Sequence, residues 1–217
     1  MKLSRTIVIG CAGAGTRLGW GIPKALIEVA GKSLLTRHLE NLRDEEDIRI
    51  VVGYQAEKVI ACAKNFRDDI KIVYNYDYLT TGTGASVTLA AVDANEYILN
   101  LDGDLIVHPE DMKIILSYPG EFVSGGKVTT EDPWFVQTMI KEETEYAIGF
   151  TKQEGTHEWN GIAQMRKSRL RPGKGHVFQM VEPYLPVPYL SARTREIDTI
   201  SDYNDVIGAI RNNCMWN

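Results

Sequence analysis

The chain has 217 residues, of which 44% are hydrophobic and 24% charged, and its formal net charge is −5. This composition is typical of a globular protein with one main domain. A negative net charge argues against nucleic acid as the main partner, because nucleic-acid-binding domains are usually basic. The three cysteines form no metal-ligand spacing, and no apolar run approaches the roughly 20 residues of a membrane span. We therefore expect a cytoplasmic protein with no membrane span.

Strand-like and helix-like segments alternate through the first half of the chain. β-Branched and apolar runs predict strands at 6–10, 48–52, 70–74 and 97–101. Helical spacing predicts helices at 34–43, with Ser33 as its cap, at 56–65 and at 85–93. Such alternation predicts βαβ units and a mostly parallel sheet, and these sheets bind ligands at the carboxyl ends of their strands.

The pattern changes after about residue 117. Short strand-like runs occur at 122–128, 135–140, 147–151 and 161–165, separated by polar breaks. They predict a β-rich lobe laid against the first sheet. Helical spacing returns at 201–211, where Ser201 or Asp202 would serve as the cap.

A glycine-rich turn follows the first predicted strand. Gly13 and Gly15 let backbone N–H groups approach an anion without obstruction by Cβ atoms. Arg17 and Lys24 add two cations suited to phosphate oxygens. A dinucleotide-binding turn would need a third glycine and a later acidic residue that the chain lacks. A plain structural turn stays open as an alternative, and a loop that binds a nucleoside triphosphate (NTP) fits best.

Carboxylates occur at two distant places in the sequence. Asp102 and Asp104 end the predicted strand 97–101, and two such charges repel each other unless a cation lies between them. Glu196 and Asp198 point to the same face if the chain is extended there. Mg²⁺ prefers one or two carboxylates together with phosphate oxygens and water. The alternatives are a solvated turn at the first place and a helix-capping region at the second.

The opening motif, Gly-x-Gly-Thr-Arg-Leu at 13–18 followed by Pro23-Lys24, resembles that of the sugar-phosphate nucleotidylyltransferases. The resemblance implies a Rossmann-like core in which Arg17 and Lys24 are the catalytic residues that bind phosphate. The nucleotide-binding residues that it implies are Ala12, Gly13, Gly15, Thr16, Gly82, Thr83 and Gly84.

The acidic stretch at 196–203 is similar to the end of the bacterial choline-phosphate cytidylyltransferases, which decorate cell-surface glycans. This similarity implies Mg²⁺ as the cofactor, with Asp104, Glu196 and Asp198 as its ligands. It also implies that Trp134 holds an amine of the acceptor by cation–π attraction. The acceptor-binding residues that we expect are Trp134, Asp102 and Trp159.

The expected fold is therefore α/β: a Rossmann-like three-layer sandwich with a mostly parallel mixed sheet and a small β-rich acceptor-binding lobe. We expect one domain with three parts. They are a nucleotide-binding core at 1–116, the acceptor lobe at 117–195, and a metal-site strand with the C-terminal helix at 196–217.

The predicted activity is transfer of a nucleoside monophosphate to a small phosphorylated or phosphonate acceptor, with release of pyrophosphate. CTP or UTP is the favoured NTP, with CMP transfer from CTP first, and a phospho-amino-alcohol is the favoured acceptor. One alternative is a sugar-1-phosphate acceptor, with polar side chains to read its hydroxyls: Asn75, Asp102, Asn160 and Glu182. A second alternative is a non-catalytic nucleotide-binding regulatory domain.

Two further features carry no ligand signal of their own. The four histidines show no ligand spacing, so we expect surface or hydrogen-bonded roles for them. The basic run at 166–171 is typical of a solvated turn, although it could also attract an anion.

Overall fold

The computed structural model describes residues 3–216. Its helices are α1 (Leu34–Asn41), α2 (Ala56–Phe66), α3 (Thr83–Ala90), α4 (Pro109–Ser117), α5 (Val177–Val181) and α6 (Ile200–Arg211). Its strands are β1 (Arg5–Cys11), β2 (Glu28–Val29), β3 (Lys32–Ser33), β4 (Ile48–Val52), β5 (Lys71–Tyr74), β6 (Tyr97–Asp102), β7 (Leu105–Val107), β8 (Phe122–Gly126), β9 (Phe135–Lys141), β10 (Thr144–Thr151), β11 (His157–Arg166), β12 (Val187–Ser191) and β13 (Thr194–Glu196). Within residues 3–216, every helix falls short of the length and apolarity needed to cross a membrane.

Most of the strands form one mixed sheet, in the order β5-β4-β1-β6-β11-β8-β12-β10-β9. The pairings among β5, β4, β1 and β6 are parallel, and so is the pairing of β12 with β8. The other neighbouring pairs are antiparallel. The predicted mixed α/β sheet is confirmed, but within residues 3–216 it is not mostly parallel, because four of its neighbouring pairs are parallel and four are antiparallel. The continuous parallel part comes from the first half of the chain, where helices connect the strands.

The lobe that we expected to lie against the first sheet instead continues that sheet. β11 pairs with β6 on one side and with β8 on the other, so the strands of 117–195 extend the sheet edgewise. This arrangement pairs the backbone groups that β6 would otherwise leave exposed at an edge. The division of the chain into three functional parts stays a prediction.

Helices cover both faces of the sheet and give the three-layer sandwich that the sequence predicts. Alternate residues of β1 enter different cores. Ile7 and Ile9 pack in a core with residues of α1, α2 and α4, whereas Val8 packs in a second core with residues of α3 and α5. Burial on both faces explains why β1 reads as a continuous apolar run.

The helix caps are predicted correctly in one case and wrongly in another. Ser33 caps α1 and accepts a hydrogen bond from the backbone N–H of Thr36 at 3.1 Å. Neither Ser201 nor Asp202 caps α6, because Thr199 is its N-cap. Asp202 closes a capping box from inside the helix by accepting the Thr199 backbone N–H at 2.7 Å.

Candidate active site

A cleft of about 830 Å³ lies where β1 and β6 end, between the parallel half of the sheet and its later strands. Gly10 and Asp102 are paired at the ends of these two strands, and both line the cleft. This is the edge of an α/β sheet at which ligands usually bind. The predicted residues that line it are Gly13, Gly15, Thr16, Arg17, Lys24, Thr83, Asp102, Asp104, Trp134, Trp159, Glu196 and Asp198.

The turn after β1 forms one wall of this cleft. At Gly15 the backbone has a φ of +60°, and a Cβ atom would lie 2.9 Å from Cγ of Lys24. Glycine is therefore required there, both by the backbone and by the packing of Lys24. Ala12 does not line the cleft: its side chain is in the core, and its carbonyl accepts the backbone N–H of Tyr54 at 3.0 Å.

Three carboxyl groups from two distant parts of the sequence meet in the cleft. Oxygens of Asp104, Glu196 and Asp198 all lie within 4.8 Å of one another. Antiparallel pairing of β13 with β7 brings the two distant segments together, and the Ile197 N–H donates to the carbonyl of Asp104 at 3.1 Å. Ile197 is fully buried, so the extended chain turns the two acids flanking it to the cleft side.

Two cations face this acidic group. Lys24 Nζ lies 2.7 Å from Asp104 and also forms an ion pair with Asp198. Arg17 forms an ion pair with the other oxygen of Asp198, and its side chain is 67% exposed, against 16% for Lys24. Lys24 is thus a half-buried charge that two acids hold in place, whereas Arg17 reaches the site from the exposed turn.

Burial and the neighbouring charges together set the pKa values in the site. Burial by itself lowers the pKa of Lys24, but Asp104 and Asp198 outweigh this effect and raise it, so the ammonium is charged. Burial and the charge of Asp104 raise the pKa of Glu196. Because the anionic form of Glu196 is disfavoured, the charges of Asp104 and Asp198 are balanced by those of Lys24 and Arg17. A divalent cation with oxygen ligands fits this donor set, because it would relieve the repulsion that raises the Glu196 pKa.

Asp102 lies beside the acidic group but has a different environment. Burial and the charge of Asp104 raise its pKa, and Asn100 donates to one of its oxygens at 3.2 Å. Gly161, at a φ of +76°, allows the close approach of this carboxyl group, because a Cβ there would lie 2.6 Å from Cγ of Asp102. The carbonyl of Asp102 is held by Nε2 of His38 at 3.1 Å.

His38 is a buried residue that no sequence pattern places near the site. Burial lowers its pKa to about 4, so the ring is neutral at pH 7. Because its partner is a carbonyl oxygen, Nε2 must carry the proton. The expectation that the histidines are surface or hydrogen-bonded residues holds for His38 through this hydrogen bond.

A second glycine-rich segment, Gly82-Thr83-Gly84, lies at the start of α3, and only part of it lines the cleft. Of its three residues, Thr83 lines the cleft, whereas Gly82 and Gly84 do not. A Cβ atom at Gly82 or at Gly84 would lie within 2.8 Å of the backbone of Gly175. Their lack of a side chain therefore serves the close packing of a later segment. A role in nucleotide binding for these two glycines stays a prediction.

Aromatic side chains line the far end of the cleft. Trp134 and Phe178 have ring centroids 4.4 Å apart, and Trp159 also lines this part. Lys152, which the sequence analysis missed, places its ammonium 5.7 Å from the Trp134 ring centroid and donates to Asp132 at 2.6 Å. No local pattern marks Lys152, because only the pairing of β10 with β9 brings it near Trp134.

Most of the polar residues suggested as readers of sugar hydroxyls lie elsewhere. Asn75 is buried and donates to Thr81 and Ser86, and Asn160 donates to Ser124. Among the four suggested residues of the described chain, Asp102 alone lines the cleft.

A glycine-rich turn with two cations, facing carboxylates at the carboxyl edge of a Rossmann-like sheet, defines an NTP-transferase domain. The likeness to solved structures supports this fold. The chain matches CTP:phosphocholine cytidylyltransferase (LicC) from Streptococcus pneumoniae with a TM-score of 0.75 and 19% identity, covering 95% of this chain and 99% of that one. It matches UDP-glucose pyrophosphorylase complexed with UDP-glucose with a TM-score of 0.76 and 14% identity, covering 97% of this chain and 100% of that one.

The chain belongs to the MobA-like NTP transferase domain family, whose model matches residues 7–117. The predicted enzyme class, nucleotidylyltransferase, is confirmed by this family match. Among curated proteins, the bifunctional protein GlmU of Bifidobacterium adolescentis is 32% identical over 167 residues, which is 71% of this chain and 35% of that protein. The chain thus spans about a third of the length of this curated relative.

Proposed function

We propose that the cleft transfers a nucleoside monophosphate from an NTP to the phosphate of a small acceptor and releases pyrophosphate. The convergence of Asp104, Glu196 and Asp198 opposite Arg17 and Lys24 carries this proposal. Phosphoryl and nucleotidyl transfer need mainly positioned charge, and this site concentrates charges of both signs at one edge of the sheet.

The reaction is a single displacement. An oxygen of the acceptor phosphate attacks the α-phosphorus of the NTP, and the bond from that phosphorus to the bridging oxygen breaks, so that pyrophosphate leaves with the electron pair. Lys24 would bind the α-phosphate, and Arg17 the departing pyrophosphate. Backbone N–H groups of the turn around Gly13 and Gly15 would hold the remaining phosphate oxygens.

The cofactor that we propose is Mg²⁺, held by Asp104, Glu196 and Asp198. When bound, Mg²⁺ supplies positive charge that offsets the charge of the phosphate oxygens. Lys24 already lies against two of these carboxylates, so it is placed to contact a phosphate and an acid at the same time.

The acceptor is proposed to be a sugar-1-phosphate. The ammonium of Lys152 lies over the Trp134 ring, so the protein's own cation occupies the aromatic face that an amine of the acceptor would use. Asp102 lies in the cleft, where a carboxyl group could bond to sugar hydroxyls. We propose UTP or CTP as the NTP, in line with the UDP-glucose bound by one structural neighbour.

A phospho-amino-alcohol acceptor is the second candidate. The aromatic pair of Trp134 and Phe178 and the likeness to LicC, a CTP:phosphocholine cytidylyltransferase, favour it. The side chain of Lys152 is 36% exposed and that of its partner Asp132 is 83% exposed, so an acceptor could displace this ion pair at low cost.

Pyrophosphate release tests both candidates. The protein is incubated with Mg²⁺ and each of CTP, UTP, GTP, ATP and dTTP, in combination with glucose-1-phosphate, N-acetylglucosamine-1-phosphate, phosphocholine or phosphoethanolamine. Release with a sugar-1-phosphate supports the proposal, and release with phosphocholine or phosphoethanolamine alone supports the second candidate. Asp104→Asn should reduce the rate about 10²–10³-fold. Asp205→Asn, at an exposed position of α6, is the matched control and should leave it unchanged.

A non-catalytic nucleotide-binding domain would give a different pattern. Wild-type protein would then bind NTP with Mg²⁺ but release no pyrophosphate with any acceptor, and Asp104→Asn would change binding only. That result would overturn the proposed activity.

A further inference from the structure

A second cavity, of about 220 Å³, lies behind the wall of the catalytic cleft. It is formed by the segment after β11, together with α5 and the turn that follows α5. Its lining includes Arg169, Arg171, His176, Met180 and Tyr184. No acidic residue lines it within the part of the chain that the structure describes. A cavity whose fixed charges are all positive is unexpected in a protein with a net charge of −5.

The two arginines in this cavity are held in place. Arg171 donates from its Nη1 to the carbonyls of Ser168 and Leu170, at 2.8 and 2.9 Å, and forms no ion pair with any acid of residues 3–216. The Arg169 guanidinium lies 4.8 Å from the Tyr184 ring centroid, and its charge is already paired with Glu121 at 3.2 Å. Arg171 therefore supplies the positive charge of this cavity that no acid neutralises. Its remaining N–H groups are available for an oxyanion.

The rest of the cavity is apolar. Met180, Pro183 and the ring of Tyr184 form its walls. A ligand that satisfies both surfaces needs an oxyanion at one end and a flat or apolar body at the other. The cavity is large enough for a single ring with one such group.

We propose that this cavity binds a small organic anion, with a phosphate or carboxylate group on Arg171 and an apolar body against Met180 and Tyr184. Binding there regulates the catalytic cleft, because the two spaces share a wall. His176 lines both of them. The regulation depends on the proposed function, whereas the binding does not.

Backbone hydrogen bonds connect this shared wall to the start of α3. The N–H of Gly82 donates to the carbonyl of Lys174 at 2.7 Å, and the N–H of Gly84 donates to that of Gly175 at 3.0 Å. Thr83, between these glycines, lines the cleft and accepts the N–H of Val177 at 3.2 Å. A ligand that shifts the segment 174–177 must therefore shift Thr83 or break these bonds.

Calorimetric titration of the full chain tests the binding, with phenyl phosphate, benzoate and inorganic phosphate as probes. We expect phenyl phosphate or benzoate to bind at least 10-fold more tightly than inorganic phosphate, which lacks the apolar body. Whichever of the two binds more tightly identifies the oxyanion. Arg171→Ala should weaken binding about 10-fold or more, and Arg171→Glu should abolish it. Arg43→Ala, at another exposed position, is the matched control and should bind as wild type does.

Two results would overturn the binding site. One is unchanged affinity in both Arg171 variants, and the other is loss of phenyl phosphate binding in Arg17→Ala, which would place the probe in the catalytic cleft.

For the regulation, the probe should change the KM for NTP at least twofold in wild type and leave it unchanged in Arg171→Ala. Binding without any such change would overturn the regulation alone. Absence of pyrophosphate release would count against the proposed function and leave the binding result standing.

Discussion

The buried His38 makes the stability of the protein depend on pH. Its ring is neutral in the folded protein, because burial lowers its pKa from 6.5 to about 4. In the unfolded chain the same ring takes up a proton as the pH falls below about 6.5. The unfolded state therefore binds more protons between pH 6.5 and pH 4, and acid destabilises the fold across this range.

The size of this effect follows from the two pKa values. Between pH 7.5 and pH 5, we expect His38 to reduce the free energy of unfolding by about 2 kcal/mol. With a urea m-value of about 2–3 kcal/mol/M, the midpoint of unfolding should fall by roughly 0.7–1 M. Other groups also titrate in this range, so the effect of His38 must be isolated with a variant.

His38→Gln is the suitable variant, because its amide can still donate to the carbonyl of Asp102 but does not titrate. Urea unfolding, followed by tryptophan fluorescence, is measured for both proteins at pH 7.5 and at pH 5. We expect the wild type to lose about 2 kcal/mol more than the variant over this interval. Equal losses in the two proteins would refute the reasoning, since they would show that His38 is protonated to the same extent in both states.

Four further substitutions test other parts of the site and fold. Lys24→Met removes the half-buried cation of the site, and we expect pyrophosphate release to fall about 10²–10³-fold. We expect Mg²⁺ to raise the Tm of the wild type by a few degrees in thermal unfolding, and Asp104→Asn should abolish this increase. Gly161→Ala forces a Cβ to within 2.6 Å of Cγ of Asp102 at a φ of +76°, and urea unfolding should show a loss of about 1–3 kcal/mol. Thr199→Ala removes the cap of α6 and should cost about 1 kcal/mol in the same assay.

Each of these four predictions has a control variant or a result that would contradict it. Gly208→Ala is the control for the glycine variant, because a Cβ there would meet no atom within 4 Å, and it should leave stability unchanged or increase it. Thr199→Ser keeps the capping oxygen and should keep most of the stability. A Mg²⁺-dependent rise in Tm that survives in Asp104→Asn would contradict the proposed metal ligands. Unchanged activity in Lys24→Met would remove this residue from the phosphate-binding group.

Features that depend on spacing within one element could be predicted from the sequence. The apolar run of β1, the glycine turn after it and the Ser33 cap each depend on a few neighbouring residues. The same holds for Glu196 and Asp198, because the two-residue period of an extended chain puts both on one face. The cap of α6 was misplaced because Thr199, Ser201 and Asp202 are all good capping residues, and only the local backbone selects among them.

The likeness to a known family, and not spacing, linked Asp104 with the acidic pair near the C-terminus. Tertiary structure alone decided how that link is made, through the pairing of β13 with β7. It also decided that β11 joins β6 and so extends the sheet, that Gly82 and Gly84 pack against Gly175, and that Lys152 covers Trp134. These contacts depend on which strand edge is free and which surfaces fit together. Neither property is encoded in the spacing of residues along one segment of this chain. The sequence by itself therefore determined the helices, the strands and the chemical groups of the site, and the packing determined how they meet.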